Sequence, residues 1–190
     1  MPNPKIVSVK DHIAWSYANL ARAHAAVEAG ESSYNRSHHM IRARLFKGLT
    51  TGKMTMRSLY DDEKVKFQYP QACCFCGNTK QISIDHLIPK IKGGSDCSDN
   101  FVWACKTCNS SKRDYDMLEW FNKKEKFPSI LLLRRYIKLV AKYCYEKDLL
   151  VIPLSEVLNY NLPFKLQLLP YDFPELDTLV LWITPVMNDY

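Results

Sequence analysis

Apolar residues recur every three or four positions in the first part of the chain, which is the spacing of amphipathic helices. This spacing predicts a first helix that is capped by Asp11 and ends at Gly30. A second helix is expected from about 33 to 49, and a third, shorter helix over 57–67. The inward-facing positions of the second helix are expected to be Ile41, Leu45 and Leu49.

The pattern changes in the middle of the chain. Residues 81–84 alternate between apolar and polar, as a strand does, and residues 101–104 are expected to form the returning strand after a turn at 92–95. Helical spacing resumes near Asn109, and Ser129 is expected to cap a strongly apolar helix. A pair of short strands among helices predicts an α+β fold.

Composition and spacing divide the chain into four regions. They are an N-terminal helical region (1–69), a compact α+β module (70–116), basic and apolar helices packed on that module (117–150), and an apolar, acidic tail (151–190). The tail contains a single lysine and five acidic residues. We expect it either to pack on the body of the protein or to form the interface of a homodimer.

The composition is that of an ordinary globular protein, with 47% hydrophobic and 24% charged residues among 190. No apolar run is long enough to span a membrane, and the N-terminus lacks the apolar core of a signal peptide, so a cytoplasmic location is expected. The net charge is +6, and the basic excess lies in residues 1–150. Such a surface suits a polyanion, although a solubilising surface would have the same composition.

Four of the seven cysteines form two Cys-x-x-Cys pairs, the arrangement that directs sulfurs to one tetrahedral zinc ion. The pairs are Cys73/Cys76 and Cys105/Cys108. A chance cluster of buried thiols is the alternative. Four thiolates leave no open coordination position, so this zinc is expected to be structural. Cys74 is expected to face away, although it could replace Cys73, whereas Cys97 and Cys144 belong to no pair.

Asp85 and His86 lie side by side at the end of the first predicted strand, where successive side chains point to opposite faces. Hydrolysis of a phosphodiester requires a base that deprotonates water and a cation that stabilises the developing charge. His86 is suited to be the base. Asp85 is a hard oxygen ligand for Mg²⁺ or Mn²⁺, and Asn109 offers a second, neutral oxygen.

The residues around this pair resemble the HNH endonucleases, whose ββα-metal fold places two strands and a helix around one divalent cation. The matching string is Asp85-His86-Leu87-Ile88-Pro89, Gly93-Gly94, Asn100 and Cys105-x-x-Cys108-Asn109-x-x-Lys112. The resemblance implies that His86 is the general base and that Asp85 and Asn109 hold the metal ion. It implies that Asn100 pins the loop between the strands and that Lys112 contacts a phosphate. The family often has histidine where this chain has Asn109.

Basic residues outside the metal ligands are the candidates for contacts with DNA. Beside the motif they are Lys90, Lys112 and Arg113, and in the second helix they are Arg42 and Arg44. The apolar helix carries a second basic stripe of Arg134, Arg135, Lys138 and Lys142. For both helices the alternative is a solvated polar face.

The sequence therefore predicts an endonuclease that cuts double-stranded DNA, with structural Zn²⁺ and catalytic Mg²⁺ or Mn²⁺, of a restriction or defence type. A structure-selective or nicking nuclease of repair, recombination or mobile elements is one alternative. A zinc-ribbon module that binds nucleic acid without catalysis is another. A pure binder has no need of a hard-metal site beside the zinc cage, which disfavours the last alternative.

Overall fold

The computed structural model of the protein describes residues 4–185, apart from the side chains of residues 65 and 66. Its regular elements are α1 (Val9–Glu28), α2 (Arg36–Thr50), α3 (Leu59–Gln68), β1 (Ile82–His86), β2 (Phe101–Cys105), α4 (Lys106–Lys112), α5 (Met117–Lys123) and α6 (Ile130–Glu146). The two strands form one antiparallel sheet. This mixture confirms the α+β prediction. None of the helices in the described part is long and apolar enough to cross a membrane.

The first helix begins three residues earlier than predicted. Ser8 is its cap: the Ser8 hydroxyl accepts from the Asp11 backbone amide at 3.1 Å, and the Asp11 carboxylate accepts from the Ser8 amide at 3.1 Å. Asp11 is therefore the acidic partner of a capping box and not the cap itself. The predicted end is correct, since Gly30 follows the helix with a left-handed φ of 67°.

The second helix begins at residue 36 and not at 33. The side chain of Asn35 caps it by accepting hydrogen bonds from two backbone amides in the first turn of the helix. Leu49 is buried as expected. The inward position predicted for Ile41 is wrong, since that residue is 38% exposed. Contact with α1 is made instead by Phe46, whose ring centroid lies 5.4 Å from that of Trp15.

The hydrophobic core forms where α1 and the tail pack against α6. Leu133 and Ile137 of α6 are fully buried. The tail caps the start of this helix, because the carbonyls of Val180 and Leu181 accept from the first amides of α6 at 2.9 and 3.0 Å. The tail segment therefore packs on the body, which was one of its two expected positions.

Carboxylates of α3 bind three of the basic residues of α6, which are Arg134, Arg135 and Lys138. Asp62 is buried and accepts from Arg134 Nε at 2.6 Å and from Lys138 Nζ at 2.5 Å. A cation engaged in this way is not available to a phosphate. For Arg134, Arg135 and Lys138 the predicted DNA contact and the alternative of a solvated face are therefore both wrong, whereas Lys142 is exposed.

The same helix holds the loop that precedes β2. Arg135 donates to the backbone carbonyls of Ser98 and of Asp99, the latter at 2.8 Å, and forms an ion pair with Glu63 at 2.5 Å. Lys142 pairs with the Asp99 carboxylate at 2.9 Å. These contacts fix the position of the β-hairpin on the helical body.

Asp62→Asn is expected to lower the free energy of unfolding by about 3 kcal/mol, because it leaves a buried ammonium without its counter-charge. Urea unfolding at neutral pH measures the change. Asp61→Asn is the matched control, since this neighbour is more exposed than Asp62, and it is expected to change the free energy by less than about 0.5 kcal/mol. Equal effects at both positions would contradict the assignment of Asp62 to the buried network.

Candidate functional site

The hairpin register separates the two central side chains. Asp85 lies opposite Val102, and His86 lies opposite Phe101. Because side chains alternate along a strand, Asp85 points to one face, where it is 6% exposed, and His86 points to the other, where it is half-buried. The predicted separation of these two residues is confirmed.

Four cysteine sulfurs converge beside the hairpin, from the turn that precedes β1 and from the junction of β2 with α4. The sulfurs of Cys73, Cys76, Cys105 and Cys108 all lie within 4.8 Å of one another. Cys76 Sγ and Cys105 Sγ are 3.7 Å apart. Zinc–sulfur bonds of about 2.3 Å in a tetrahedron place the sulfurs about 3.8 Å apart, so the group fits a closed zinc site.

The first cysteine turn is anchored by its own backbone. The amide of Gly77 donates to the Cys73 carbonyl at 2.8 Å, and the amide of Cys74 donates to the Trp103 carbonyl of β2 at 2.9 Å. Gly77 has a φ of 78°, a conformation that glycine adopts without strain. The side chain of Cys74 is buried outside the sulfur group, as expected, and Cys97 is exposed.

Asn100 holds the loop between the two strands. Its side chain is fully buried, accepts from the Ile88 amide at 2.9 Å, and donates to the carbonyls of Ile88 at 2.7 Å and of Ser95 at 2.8 Å. The loop passes so close to itself that a Cβ atom on Gly94 would lie 2.0 Å from the Ile88 carbonyl oxygen. Asn100 therefore makes the loop contacts that the resemblance implies.

Lys112 meets Asp85 inside the protein and not at the surface. Its side chain is 1% exposed, and its ammonium lies 3.2 Å from Asp85 Oδ2 and 2.6 Å from the carbonyl oxygen of His86. Burial raises the pKa of Asp85, and the Lys112 charge offsets part of that change. Burial also lowers the pKa of Lys112. The phosphate contact expected for Lys112 is not available in this geometry, because the protein encloses its ammonium group.

Asn109 lies on the same helix–strand interface as Asp85. Its side-chain amide donates to Ser83 Oγ at 3.2 Å, and Ser83 shares a face of β1 with Asp85. Asn109 and Lys112 are one turn apart on α4, so the two contacts lie side by side. Asp85 Oδ2 is buried, and its charged neighbour is the Lys112 ammonium at 3.2 Å. A carboxylate and an amide on one interface supply the kinds of oxygen ligand that a hard divalent cation prefers.

On the opposite face, His86 contacts a carboxylate that the sequence did not single out. His86 Nε2 lies 2.9 Å from Asp96 Oδ1, and the other oxygen of Asp96 lies 2.5 Å from Lys90 Nζ. Hydrogen bonds from Lys90 and His86 lower the pKa of Asp96. The ring of Phe101 packs edge-on against the imidazole at 4.9 Å. The sequence feature that could have pointed to Asp96 is its place two residues after Gly94, inside the loop that joins the strands.

The remaining basic candidates lie in different places. Arg113 is exposed and follows α4 with a positive φ of 51°, and Lys90 is exposed but held by Asp96. Arg42 is half-buried against Trp15, at 4.7 Å from its ring, whereas Arg44 is exposed. Residues two positions apart on a helix point in directions about 200° apart around its axis, so these two arginines do not share one face of α2.

Removal of the metal from the cysteine cage is expected to unfold the hairpin, because a structural zinc contributes about 10 kcal/mol or more to the folding of its module. Cys108→Ser should lower the melting temperature by more than about 10 °C and reduce bound zinc from about one ion per chain to almost none. Thermal melting and elemental analysis measure both. Cys97→Ser, outside the cage, is the control and should change neither.

Lys112→Met is expected to lower the free energy of unfolding by about 3 kcal/mol, because Asp85 is left buried without a counter-charge. The double change Asp85→Asn with Lys112→Met should recover part of this loss, since both charges are then absent. Lys106→Met, at an exposed position of α4, is the control for urea unfolding. A Lys112→Met variant as stable as this control would contradict the buried pair.

Comparison with known proteins supports the interpretation of this region. Residues 73–117 match the family described as HNH endonuclease. Neither the curated proteins nor the solved structures include a match to the chain. The matched segment contains the hairpin, α4, the four cysteines and the Asp85–His86 pair. Residues 73–117 are therefore a module of the HNH endonuclease type, and nuclease activity is the function that this match supports.

Proposed function

We propose that the protein is a metal-dependent endonuclease that hydrolyses phosphodiester bonds of double-stranded DNA, with His86 as the general base and Asp85 and Asn109 as ligands of Mg²⁺ or Mn²⁺. The observation that carries this proposal is that Asp85 and His86, at the end of β1, point to opposite faces of the hairpin. One face presents a half-buried imidazole held by a carboxylate, and the other presents the buried Asp85 carboxylate, with Asn109 bound to Ser83 on that same face.

Asp96 determines which nitrogen of His86 is free to accept a proton from water. A neutral imidazole has one nitrogen that donates and one that accepts. When His86 Nε2–H donates to Asp96, as the 2.9 Å distance allows, Nδ1 is the nitrogen that accepts a proton. This is the arrangement of a general base oriented by a third group. Lys90, on the far oxygen of Asp96, keeps that carboxylate ionised and in place.

The divalent cation would be held by oxygen atoms of Asp85 and Asn109. When bound, such an ion neutralises the charge that develops on the phosphate and on the leaving oxygen. An aspartate with an amide favours Mg²⁺ or Mn²⁺ over softer metals. Lys112 fixes the Asp85 carboxylate from α4, so the ligand is already oriented by the fold. The zinc at the four cysteines has a structural role, because four thiolates leave it no position for water.

A restriction or defence role is the biological setting we propose, with DNA as the substrate. It is supported by a nuclease module joined to helices that belong to the same basic chain. A homodimer would supply the two sites that cutting both strands requires. Cleavage of one strand only, or of branched DNA in preference to linear duplex, would instead indicate the nicking or structure-selective alternative.

The proposed function is tested by incubating supercoiled plasmid with Mg²⁺ and the zinc-loaded protein. The wild type is expected to cut, and His86→Ala to be slower by about 10²–10⁴, because it lacks the general base. Asp96→Asn should lie between the two, since the imidazole remains but loses its anionic partner. His24→Ala, a histidine of α1 outside the hairpin, is the matched control and should cut like the wild type. Equal cutting by His86→Ala and the wild type would contradict the assignment.

A further inference from the structure

A buried arginine of α1 has no carboxylate to neutralise it. Arg22 is only 9% exposed, and its guanidinium carbon lies 4.1 Å above the ring of Tyr34. In the described part of the chain, Arg22 Nε and the hydroxyl of Tyr34 are both buried without a hydrogen-bond partner. Both groups can donate a hydrogen bond, and both belong to the stack of the Arg22 guanidinium on the Tyr34 ring. The guanidinium and the phenol interact with each other, and the donors that this pair leaves free need an acceptor from outside it.

Arg42 of α2 adds a second positive charge at the same place. Its guanidinium carbon lies 4.7 Å from the ring of Trp15, and its Nη1 donates to Asn19 Oδ1 at 3.3 Å. Trp15, Asn19 and Arg22 follow one another at four and three residues along α1, so they lie on one face of that helix. Burial lowers the pKa of Arg22, and the nearby charge of Arg42 lowers it further. The two arginines therefore repel each other in a partly desolvated position.

Two arginines of α6, one half-buried and one buried, show what is missing here. Arg134 and Arg135 each form an ion pair with a carboxylate, at 2.6 and 2.5 Å. Within residues 4–185, no carboxylate forms such a pair with Arg22 or Arg42. Asp172 attracts Arg22 only at longer range and is exposed. Glu175 likewise acts on Tyr34 only at longer range, so among the described residues the two guanidinium groups have no carboxylate in an ion pair with them.

We propose that Arg22, Tyr34 and Arg42 form a phosphate-binding site on the helical hairpin of α1 and α2, separate from the nuclease site, and that it takes a phosphate of the nucleic-acid backbone. Guanidinium groups bind phosphate oxygens through two parallel hydrogen bonds, and stacking on aromatic rings holds the fork in position. The Tyr34 hydroxyl donates to the same anion. The site deepens the proposed nuclease function by assigning a contact for the substrate, but its test needs no cleavage.

The duplex experiment uses His86→Ala protein, loaded with zinc and without Mg²⁺, so that a fluorescent DNA duplex stays intact. Adding Arg42→Gln is expected to weaken binding about 10-fold and to reduce the slope of log affinity against log salt by about 1. Adding Tyr34→Phe, which keeps the ring and removes only the hydroxyl, should weaken binding by about 3- to 10-fold. Arg44→Gln removes the same charge from the other side of α2 and should have a much smaller effect.

The second arm distinguishes the backbone of DNA from a free phosphate. Inorganic phosphate is added at constant ionic strength, with chloride as the reference salt, and the melting temperature is measured. A rise for the wild type that is absent in Arg42→Gln supports the site, by preferential binding to the folded state. If phosphate gives this rise while the duplex affinities of Arg42→Gln and Tyr34→Phe are unchanged, the ligand is a free phosphate compound, and the site stands with that ligand in place of DNA.

Two results would overturn the proposal. Equal losses of duplex affinity in Arg42→Gln and Arg44→Gln, with no effect of Tyr34→Phe, would show only a general attraction between a basic helix and DNA. Unchanged duplex binding in every variant together with no phosphate-dependent rise in melting temperature would show that the arginine pair binds no phosphate. Neither result depends on whether the protein cuts DNA, so failure here is distinguishable from failure of the nuclease assignment.

Discussion

The convergence of four cysteine sulfurs beside the β-hairpin is the constraint on which the site depends. Two strands of five residues are too short to form a stable sheet alone. The sulfurs join the turn before β1 to the end of β2, and Asn100 closes the loop at the other end. Together they fix the register, and a slip of one residue would exchange the faces of Asp85 and His86. The chemistry therefore depends on residues that take no part in it.

Basic residues of α6 attach this hairpin and α3 to the helical body. Arg135 donates to two carbonyls of the loop before β2, and Asp62 binds two basic residues of α6. These charges have an internal structural role, although along the sequence they look the same as charges that meet DNA. Arg22 and Arg42, which lie elsewhere on α1 and α2, have aromatic and amide contacts but no ion pair with a carboxylate among the described residues. Partners inside the fold, and not the number of basic residues, decide which surface can bind a phosphate.

The sequence predicted those features that depend on short-range spacing. The cysteine pairs and the separation of Asp85 from His86 follow from local patterns, the loop contacts of Asn100 are implied by the resemblance, and the structure shows each of them. The features it missed depend on tertiary partners. Burial of Lys112 requires α4 to lie across β1, and the contact of Asp96 with His86 requires the loop to fold back. The start of α1 was misplaced because Asp11 suits both the cap and the third position of a capping box.

The module is expected to hold two metal ions of different kinds at two separate places. Anomalous X-ray scattering from crystals grown with Mn²⁺, recorded at the zinc and manganese absorption edges, tests it most directly. We expect zinc at the four sulfurs, and manganese at the oxygens of Asp85 and Asn109, with no exchange between the two sites. A manganese signal absent from Asp85 and Asn109 in Mn²⁺-saturated crystals, or zinc bound at Asp85 with the sulfurs unliganded, would contradict it.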